Sequence, residues 1–427
     1  MSVLTELGDL PEPDLAKVAP HRFRRLGDKV LATSEAGHWA FLSHDEYRDY
    51  LKGLGDAHPR FDELRVKGFL GHYLDFERLA AEAMEGSLLS WEGTRRFVLL
   101  LERGRQRMDC DVAREAVDFA FTVPGPAVVL EAACEDPAAA WPMARFIARY
   151  AAKRSDWNGR RSRVWLRTPN LPAASRAAEM AEHKLGLMLE LDAAGKLPAG
   201  IAKFPEPRVV LRWIPKARDA AGWVKDLRAA GVGSVMLSPD GVSDVEGFGA
   251  FYAAFLDAAL SDGPPLREEW AAAALRRLPP EGGRPREERG GPLPGVDVTG
   301  ELCVAPWGEL VAAERALDLP SDERGLYSLG AVGRTAWEEL PDKQAVHAIL
   351  AGAEGDHHPL CAQCAYKPAC TVAPSRHQEG QGSFWGHLPT SAACAAAMAA
   401  LDVIFLRLAE TEPREALLGW ADSWTLL

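Results

Sequence analysis

No run of about 18 uninterrupted apolar residues occurs in the 427-residue chain, so no membrane-spanning helix is expected. The opening residues Met1-Ser2-Val3-Leu4-Thr5-Glu6 have neither a basic n-region nor an apolar h-region, and a cytoplasmic location is expected. Basic charge is in deficit: 49 Lys and Arg stand against 61 Asp and Glu, a net charge of −12. That balance argues against a nucleic-acid or anionic-membrane surface. Basic runs such as Arg160-Arg161-Ser162-Arg163 are short and read as a solvated helix end or loop. No tandem repeat, Walker loop, HExxH motif or nucleophile–base pair is present. Cysteine is also scarce. There are seven, and only Cys110 and Cys134 precede residue 300, so a disulfide framework in a reducing compartment is not expected.

What is present is ordinary for a globular chain, with 47% hydrophobic and 26% charged residues. Four segments are expected: 1–80, 93–278, a linker at 279–297, and 298–427. In the first, Lys29–Thr33 and Trp39–Leu42 read as a hairpin around Glu35-Ala36-Gly37. Ser43 with Glu46 reads as a capping box, and a second helix ends at Gly68. Hairpin plus two helices is a winged-helix-like composition. From 93 to 278, short apolar runs alternate with helical patterns. The strands are expected at Phe97–Leu101, Ala127–Glu131, Arg163–Arg167, Gly186–Leu191, Val209–Ile214 and Ser234–Leu237. The helices are expected at Val112–Phe121, Ala139–Ala151, Ala173–His183, Ala217–Ala230, Gly247–Leu260 and Pro265–Arg277. Repeated βα units predict an α/β fold with a parallel sheet, open or closed into a barrel. Beyond the Pro/Gly-rich linker come a hairpin at Glu301–Ala312, a helix at Thr335–Leu350 and a long helix from Ser391 to Leu408.

The remaining cysteines cluster. Cys361-x2-Cys364-x5-Cys370-x23-Cys394 places a C-x2-C knuckle beside a third thiol, with a fourth on a following helix. Four thiolates suit one Zn²⁺ or one [4Fe–4S] cluster equally. The bland alternative is four buried, unligated cysteines. His357 and His358 precede the cluster and read as surface loop residues more readily than as ligands. Phe384-Trp385 reads as a shield for the metal, and Trp420 with Trp424 as a helix face packed on the core.

The segment Cys361-Ala362-Gln363-Cys364-Ala365-Tyr366-Lys367-Pro368-Ala369-Cys370, followed by Pro374 and Cys394, resembles the SPASM-type domain of radical-SAM peptide maturases. The nearest likeness is to the radical-SAM maturase of the His-Xaa-Ser peptide system. Phe23-Arg24-Arg25-Leu26, Lys67-Gly68-Phe69-Leu70, Met108–Phe121, Phe251-Tyr252 and Arg267-Glu268-Glu269 extend the resemblance, diffusely, along the chain. It implies a partial (β/α) barrel. It also implies two auxiliary clusters, one using Cys361, Cys364, Cys370 and Cys394, the other needing Cys303 and cysteines near Ala313 and Ala373. Only the first set is complete.

The chain departs from that family where the radical is made. A C-x3-C-x2-C loop after the first strand is required to hold the cluster that binds S-adenosylmethionine (AdoMet). Here the strand runs into Glu102-Arg103-Gly104-Arg105-Gln106-Arg107, with no cysteine triplet. The family's Gly-Gly-Glu-Pro stretch corresponds to Ala133-Cys134-Glu135-Asp136-Pro137, without the glycines that permit close backbone approach. The expectation is a degenerate homologue with no AdoMet cluster, one four-cysteine metal centre, and a role as a peptide-binding or partner subunit in ribosomal-peptide modification. Its partners would be a precursor peptide, a maturation enzyme, or both. In related maturases a domain of the N-terminal shape takes a leader peptide as an added strand, and the edge here would be Val30–Thr33 or Trp39–Leu42. Alternatives are an electron-relay iron–sulfur protein, or new chemistry in the old barrel. For the latter, Glu131, Glu135, Asp192 and Asp240 stand at strand ends, and Glu190 with Asp192 brackets one of them.

Overall fold

The computed structural model describes residues 10–82, 95–125, 127–192, 195–205, 207–211, 219–239, 242–261, 263–279 and 297–422. An antiparallel sheet opens the chain: β1 (His21–Leu26), β2 (Lys29–Ser34) and β3 (Trp39–Ser43), in that spatial order. α1 (His44–Leu51) and α2 (Phe61–Val66) follow. The capping box forms as expected: the Ser43 side chain accepts from the Glu46 N–H, and the Glu46 side chain accepts from the Ser43 N–H. Gly68, at φ +73°, ends α2 in a conformation that other residues rarely adopt. Both faces of this sheet are buried. Val30, Ala32, Ala40 and Leu42 pack under α1 and α2 with Tyr47, Tyr50 and Leu64. Leu31 and Trp39 pack the other way, into a core shared with the C-terminal helices. β1 was not expected, because His-Arg-Phe-Arg-Arg-Leu offers little apolar alternation.

Among the described residues the large sheet has ten strands. β4 (Arg96–Leu100), β5 (Ala127–Ala133), β6 (Arg161–Thr168), β7 (Leu185–Leu191), β8 (Arg208–Leu211), β9 (Ser234–Leu237) and β10 (Arg267–Glu268) lie side by side in chain order, all parallel. On the far side of β4 lies β11 (Glu301–Val304), also parallel. β12 (Glu309–Val311) and β13 (Ser328–Ala331) extend it antiparallel. The C-terminal segment therefore grows out of the barrel sheet.

The connecting helices are α3 (Cys110–Thr122), α4 (Pro137–Asn158), α5 (Ala177–Glu182), α6 (Ala220–Ala229), α7 (Val245–Leu260) and α8 (Glu269–Arg277). Five of them start from an acidic cap, at Asp109, Asp136, Asp219, Asp244 and Glu268, whose carboxylate accepts the orphan N–H groups of the first turn. Leu99, Leu130, Leu166 and Leu187 fill the layer between sheet and helices. Two helix expectations change. Ala173–His183 resolves into a 3₁₀ turn at Ala174–Arg176 before α5, and Pro265–Arg277 divides into β10 and α8. The continuation of β8 to Ile214, the start of α6 before Ala220, and residues 280–296 of the linker lie outside the described residues.

In the C-terminal segment the hairpin forms at its expected place. The Thr335–Leu350 pattern is a 3₁₀ turn at Trp337–Asp342, interrupted by Pro341, and then α9 (Gln344–Ala353). α10 (Pro374–Gln381), α11 (Ala392–Leu408) and α12 (Thr411–Asp422) complete the chain. α11 packs on α7 and α12 on α8. Trp420 packs into that core, and Trp424 lies outside the described residues. Among the described residues no single helix is long and apolar enough to cross a membrane.

Candidate functional site

The four cysteines come from two pieces of chain. Cys361 sits in a single helical turn, Pro359–Ala362. The Cys364 N–H donates to the Cys361 carbonyl at 3.0 Å, and the Cys370 N–H to the Tyr366 carbonyl at 2.8 Å, so consecutive tight turns bring three thiols together. The fourth, Cys394, lies in the first turn of α11, where the Ser391 hydroxyl caps its N–H at 3.2 Å. All four are partly buried. Burial pushes Cys361 up to about 12, with Cys370, Cys364 and Cys394 each adding to the rise. Burial likewise raises Cys394 to about 12, with Cys370 and Cys364 contributing. Thiols that raise one another share one electrostatic neighbourhood, and a cation bound among them would relieve it.

Cations surround that neighbourhood: Lys367 acts on Cys361, Arg24 and Arg22 on Cys364, and Arg277 and Arg376 on Cys370. A positive surround suits a centre whose four thiolates outweigh the metal charge. The donor set therefore fits a thiolate-bound metal. Among the described residues, however, no three His, Cys, Asp or Glu side chains close to ligand distance about one point. The second cluster set stays incomplete: Cys303 is buried on β11, and Ala313 and Ala373 are buried alanines.

The flanking residues differ in detail from expectation. The His357 ring nitrogen lies 2.7 Å from the Ala351 carbonyl, at the surface. His358 is buried, with a ring nitrogen 2.8 Å from the Gly352 carbonyl, so it is an anchor of the α9 end and not a surface residue. Phe384 packs on Tyr327 and Trp385 on His358. Phe384 belongs to the core of the first barrel strands, whereas Cys364 and Cys370 pack in the other core with Ala365, Tyr366 and Ala369. The alanines and tyrosine of the loop itself, missed in the sequence, share that core with the two thiols.

After β4, Glu102–Arg103 and Gln106–Arg107 pair as a two-residue hairpin, turned at Gly104 with φ +60°. One Glu102 carboxylate oxygen accepts the backbone N–H groups of Glu135 and Asp136, each at 3.1 Å. Arg103 donates to the Leu317 carbonyl and to Asp318, both at 2.7 Å. The hairpin after β4 is thus stitched to the loop after β5. The exposed Glu135 contributes its carbonyl, which accepts from Asn170 Nδ2 at 2.9 Å.

The inward face of the sheet carries an arginine–carboxylate lattice. Arg167, 4% exposed, reaches Glu314 at 2.6 Å, Glu190 at 3.5 Å and Glu131 at 3.8 Å. Arg96 joins Glu131 at 3.4 Å and is paired with Glu301. Arg208 and Arg267 each stand 3.4 Å from Glu269. Trp165, fully buried, lies between the guanidinium groups of Arg163 and Arg208, 4.7 and 4.1 Å from its ring centre. Gly186 makes room for that ring, since a Cβ there would overlap the indole. The Arg160–Arg163 run is largely absorbed by the fold as well: Arg160 donates to the carbonyls of Phe121 and Val123 at 2.9 and 2.8 Å.

Above the lattice, a cavity of about 520 Å³ opens between the sheet and the C-terminal segment. Met188, Val210, Met236 and Trp270 give it apolar walls, while Arg315, Arg376 and Glu379 line the opposite side. Of the candidate acid–base carboxylates, Glu131 and Glu190 are held by the lattice. The Asp192 carboxylate accepts the Gly195 N–H at 3.1 Å as a loop anchor, and Asp240 lies outside the described residues.

These strands, in this order, with a C-terminal segment folded over them, decide the fold. The chain shares its fold with solved structures of low sequence identity. It matches the structure "Native anSMEcpe with bound AdoMet" with a TM-score of 0.54 at 12% identity, over 75% of this chain and 100% of that one. "Native anSMEcpe with bound AdoMet and Cp18Cys peptide" matches with a TM-score of 0.54 at 13% identity, over 75% and 99%. At such identity the likeness is one of fold. No protein-family model matches the chain, and no curated protein matches it.

Proposed function

We propose that this chain is a radical-SAM homologue that has given up AdoMet cleavage, keeps one metal centre at Cys361, Cys364, Cys370 and Cys394, and serves as a peptide-binding or partner subunit in ribosomal-peptide modification. The observation that carries the loss of activity is the Glu102 clasp. The carboxylate occupies backbone N–H groups at 135 and 136, on a loop without glycines, and the hairpin beside it holds no cysteine. Two separate parts of one cofactor site have changed together. Either Zn²⁺ or a [4Fe–4S] cluster satisfies the four thiolates.

Peptide capture is supported by β3. Val30–Thr33 is excluded as the edge, because β2 is paired on both sides. β3 is an outer strand, and its Trp39 carbonyl, turned away from β2, accepts from Lys67 Nζ at 2.8 Å. By the two-residue repeat, Phe41 presents its N–H and C=O the same way. The solved complexes of the matching fold with peptides are in keeping with this reading. The test is an anaerobic, cluster-reconstituted assay: 5′-deoxyadenosine above background sinks the claim of lost cleavage. A second reading, repurposed barrel chemistry, is favoured by the cavity of about 520 Å³ beside Arg167 and Glu314. Turnover of an added substrate that is abolished by Glu314→Gln would favour it.

A further inference from the structure

β1 touches both pieces of chain that carry the cysteines. Arg22 Nε donates to the Ala362 carbonyl at 2.7 Å, inside the C-x2-C turn, and its Nη2 lies 2.9 Å from Glu35 and 3.7 Å from Asp356. Asp356 also pairs with Lys367, three residues before Cys370. Two residues along β1, Arg24 grips Asp402 with two hydrogen bonds of 2.6 and 2.7 Å. Asp402 lies on α11, the helix of Cys394, and it also accepts from the Tyr366 hydroxyl. Arg24 lies over the Tyr366 ring, 5.3 Å from its centre. From β2, the Thr33 hydroxyl donates to the Ala365 carbonyl at 3.0 Å. Gly37, at the turn into β3, sits against Pro368, where an added Cβ would come within 3.2 Å. Trp39 and Phe41 of β3 pack on Phe405 of α11, with ring centres 6.2 and 6.5 Å apart.

The sheet thus reads carbonyls at 362 and 365, between the ligands, with one hand, and α11 with the other. The loop has little regular structure of its own. From 361 to 370 its backbone bonds are those of short turns: Cys364 to Cys361, Lys367 to Cys364, and Ala369 and Cys370 to Tyr366. Such a segment takes its shape from what it binds. A metal at the four thiols fixes the carbonyls that Arg22 and Thr33 use. Conversely, the Arg22 and Arg24 contacts tie the three-thiol loop and the helix of the fourth thiol to one strand.

We propose that the four-cysteine loop is the dock of the N-terminal sheet, so that metal occupancy and the placement of the β3 edge are one coupled equilibrium. This rests on the reading of Cys361, Cys364, Cys370 and Cys394 as metal ligands. Linkage then runs both ways: metal steadies the sheet, and the sheet strengthens metal binding. A peptide seated on β3 would act on the metal site through the same contacts, without touching a ligand.

The test uses the full chain, stripped by chelator and titrated with Zn²⁺ alone, followed by amide exchange. Zinc slows exchange in 21–43 by about tenfold or more, while β5 in the barrel is unchanged. The Arg22→Ala/Arg24→Ala chain, all four cysteines intact, binds zinc about 10- to 100-fold more weakly, the range for partners that orient metal ligands. Should that chain fail to fold, Asp402→Asn gives the same readout from the other side. A wild-type chain that binds zinc with no change in 21–43, or a double variant with wild-type affinity, overturns the coupling alone. A chain that binds no zinc overturns the ligand assignment, and the coupling with it.

Discussion

Replacing Arg167 by methionine tests whether the barrel interior is held by its ion-pair lattice. The guanidinium is 4% exposed and meets Glu314 at 2.6 Å, Glu190 at 3.5 Å and Glu131 at 3.8 Å. Burial works against its charge, but Glu314, Glu190 and Glu131 outweigh burial and hold its pKa above the ordinary arginine value. Methionine matches much of the volume and leaves the carboxylates behind. Glu131, 2% exposed, then keeps Arg96 as an ion-pair partner at 3.4 Å, with the charge of Arg208 also acting on it. Removing one partner from a buried charge cluster costs about 3–5 kcal/mol, mostly because the remaining charge is stranded. Part of that cost is recoverable by neutralising the stranded group. Arg167→Met/Glu131→Gln should therefore lose less than the sum of its singles, by at least ~1 kcal/mol. The assay is urea unfolding of the four chains of this cycle, with m-values compared to confirm a common unfolding reaction. An Arg167→Met chain within about 1 kcal/mol of wild type, or strictly additive singles, would refute the reasoning.

Cys364→Ser should abolish metal binding and lower solubility, whereas Cys110→Ser and Cys134→Ser should leave metal content unchanged; elemental analysis of the three purified variants decides it. Gly186→Ala should destabilise by about 1–3 kcal/mol, because the added methyl meets the Trp165 ring, and thermal melts check it. Burial raises Glu268 to about 7 from 4.5, against the N–H groups of Leu237, Trp270 and Ala271 and the Tyr252 hydroxyl that favour its charge. The folded chain then holds this proton more tightly than the unfolded one. Its contribution is full below pH 4.5 and is lost as pH rises through 7. Stability of Glu268→Gln should accordingly fall less steeply across that window than wild type; parallel profiles would mean that Glu268 is not the titrating group. Glu102→Ala should cost about 0.5–1.5 kcal/mol, because the exposed N–H groups of 135 and 136 turn to water, with faster amide exchange at those two positions as the check.

The parallel strands were legible because a buried strand in a βα repeat is an unbroken apolar run, and β5, β7 and β9 lie where those runs lie. The Ser43 box was legible for a local reason: a helix start needs an acceptor at one position. β1 was not, because Arg22 and Arg24 break the apolar alternation of a strand. They serve carbonyls and carboxylates more than 300 positions away, a pairing that no local window contains. The same holds for the lattice. Arg96, Glu131 and Arg167 each interrupt an apolar strand, and a charge at an inward position was the available signal. Its partners come from β11 and from Glu314, beyond the linker. The thiol spacing pointed to one neighbourhood, and Cys361 and Cys394 each feel the charges of Cys364 and Cys370. It carried nothing of the cationic surround, since Arg22, Arg24, Arg277 and Arg376 come from three other parts of the chain.

The central claim is one retained metal centre in a barrel that has lost its cofactor, and metal content of the anaerobically purified chain tests it most directly. The account predicts a single centre: about four irons with broad absorbance near ~400 nm, or one zinc in colourless protein. Iron for two or more clusters, or protein without metal after reconstitution, would contradict it.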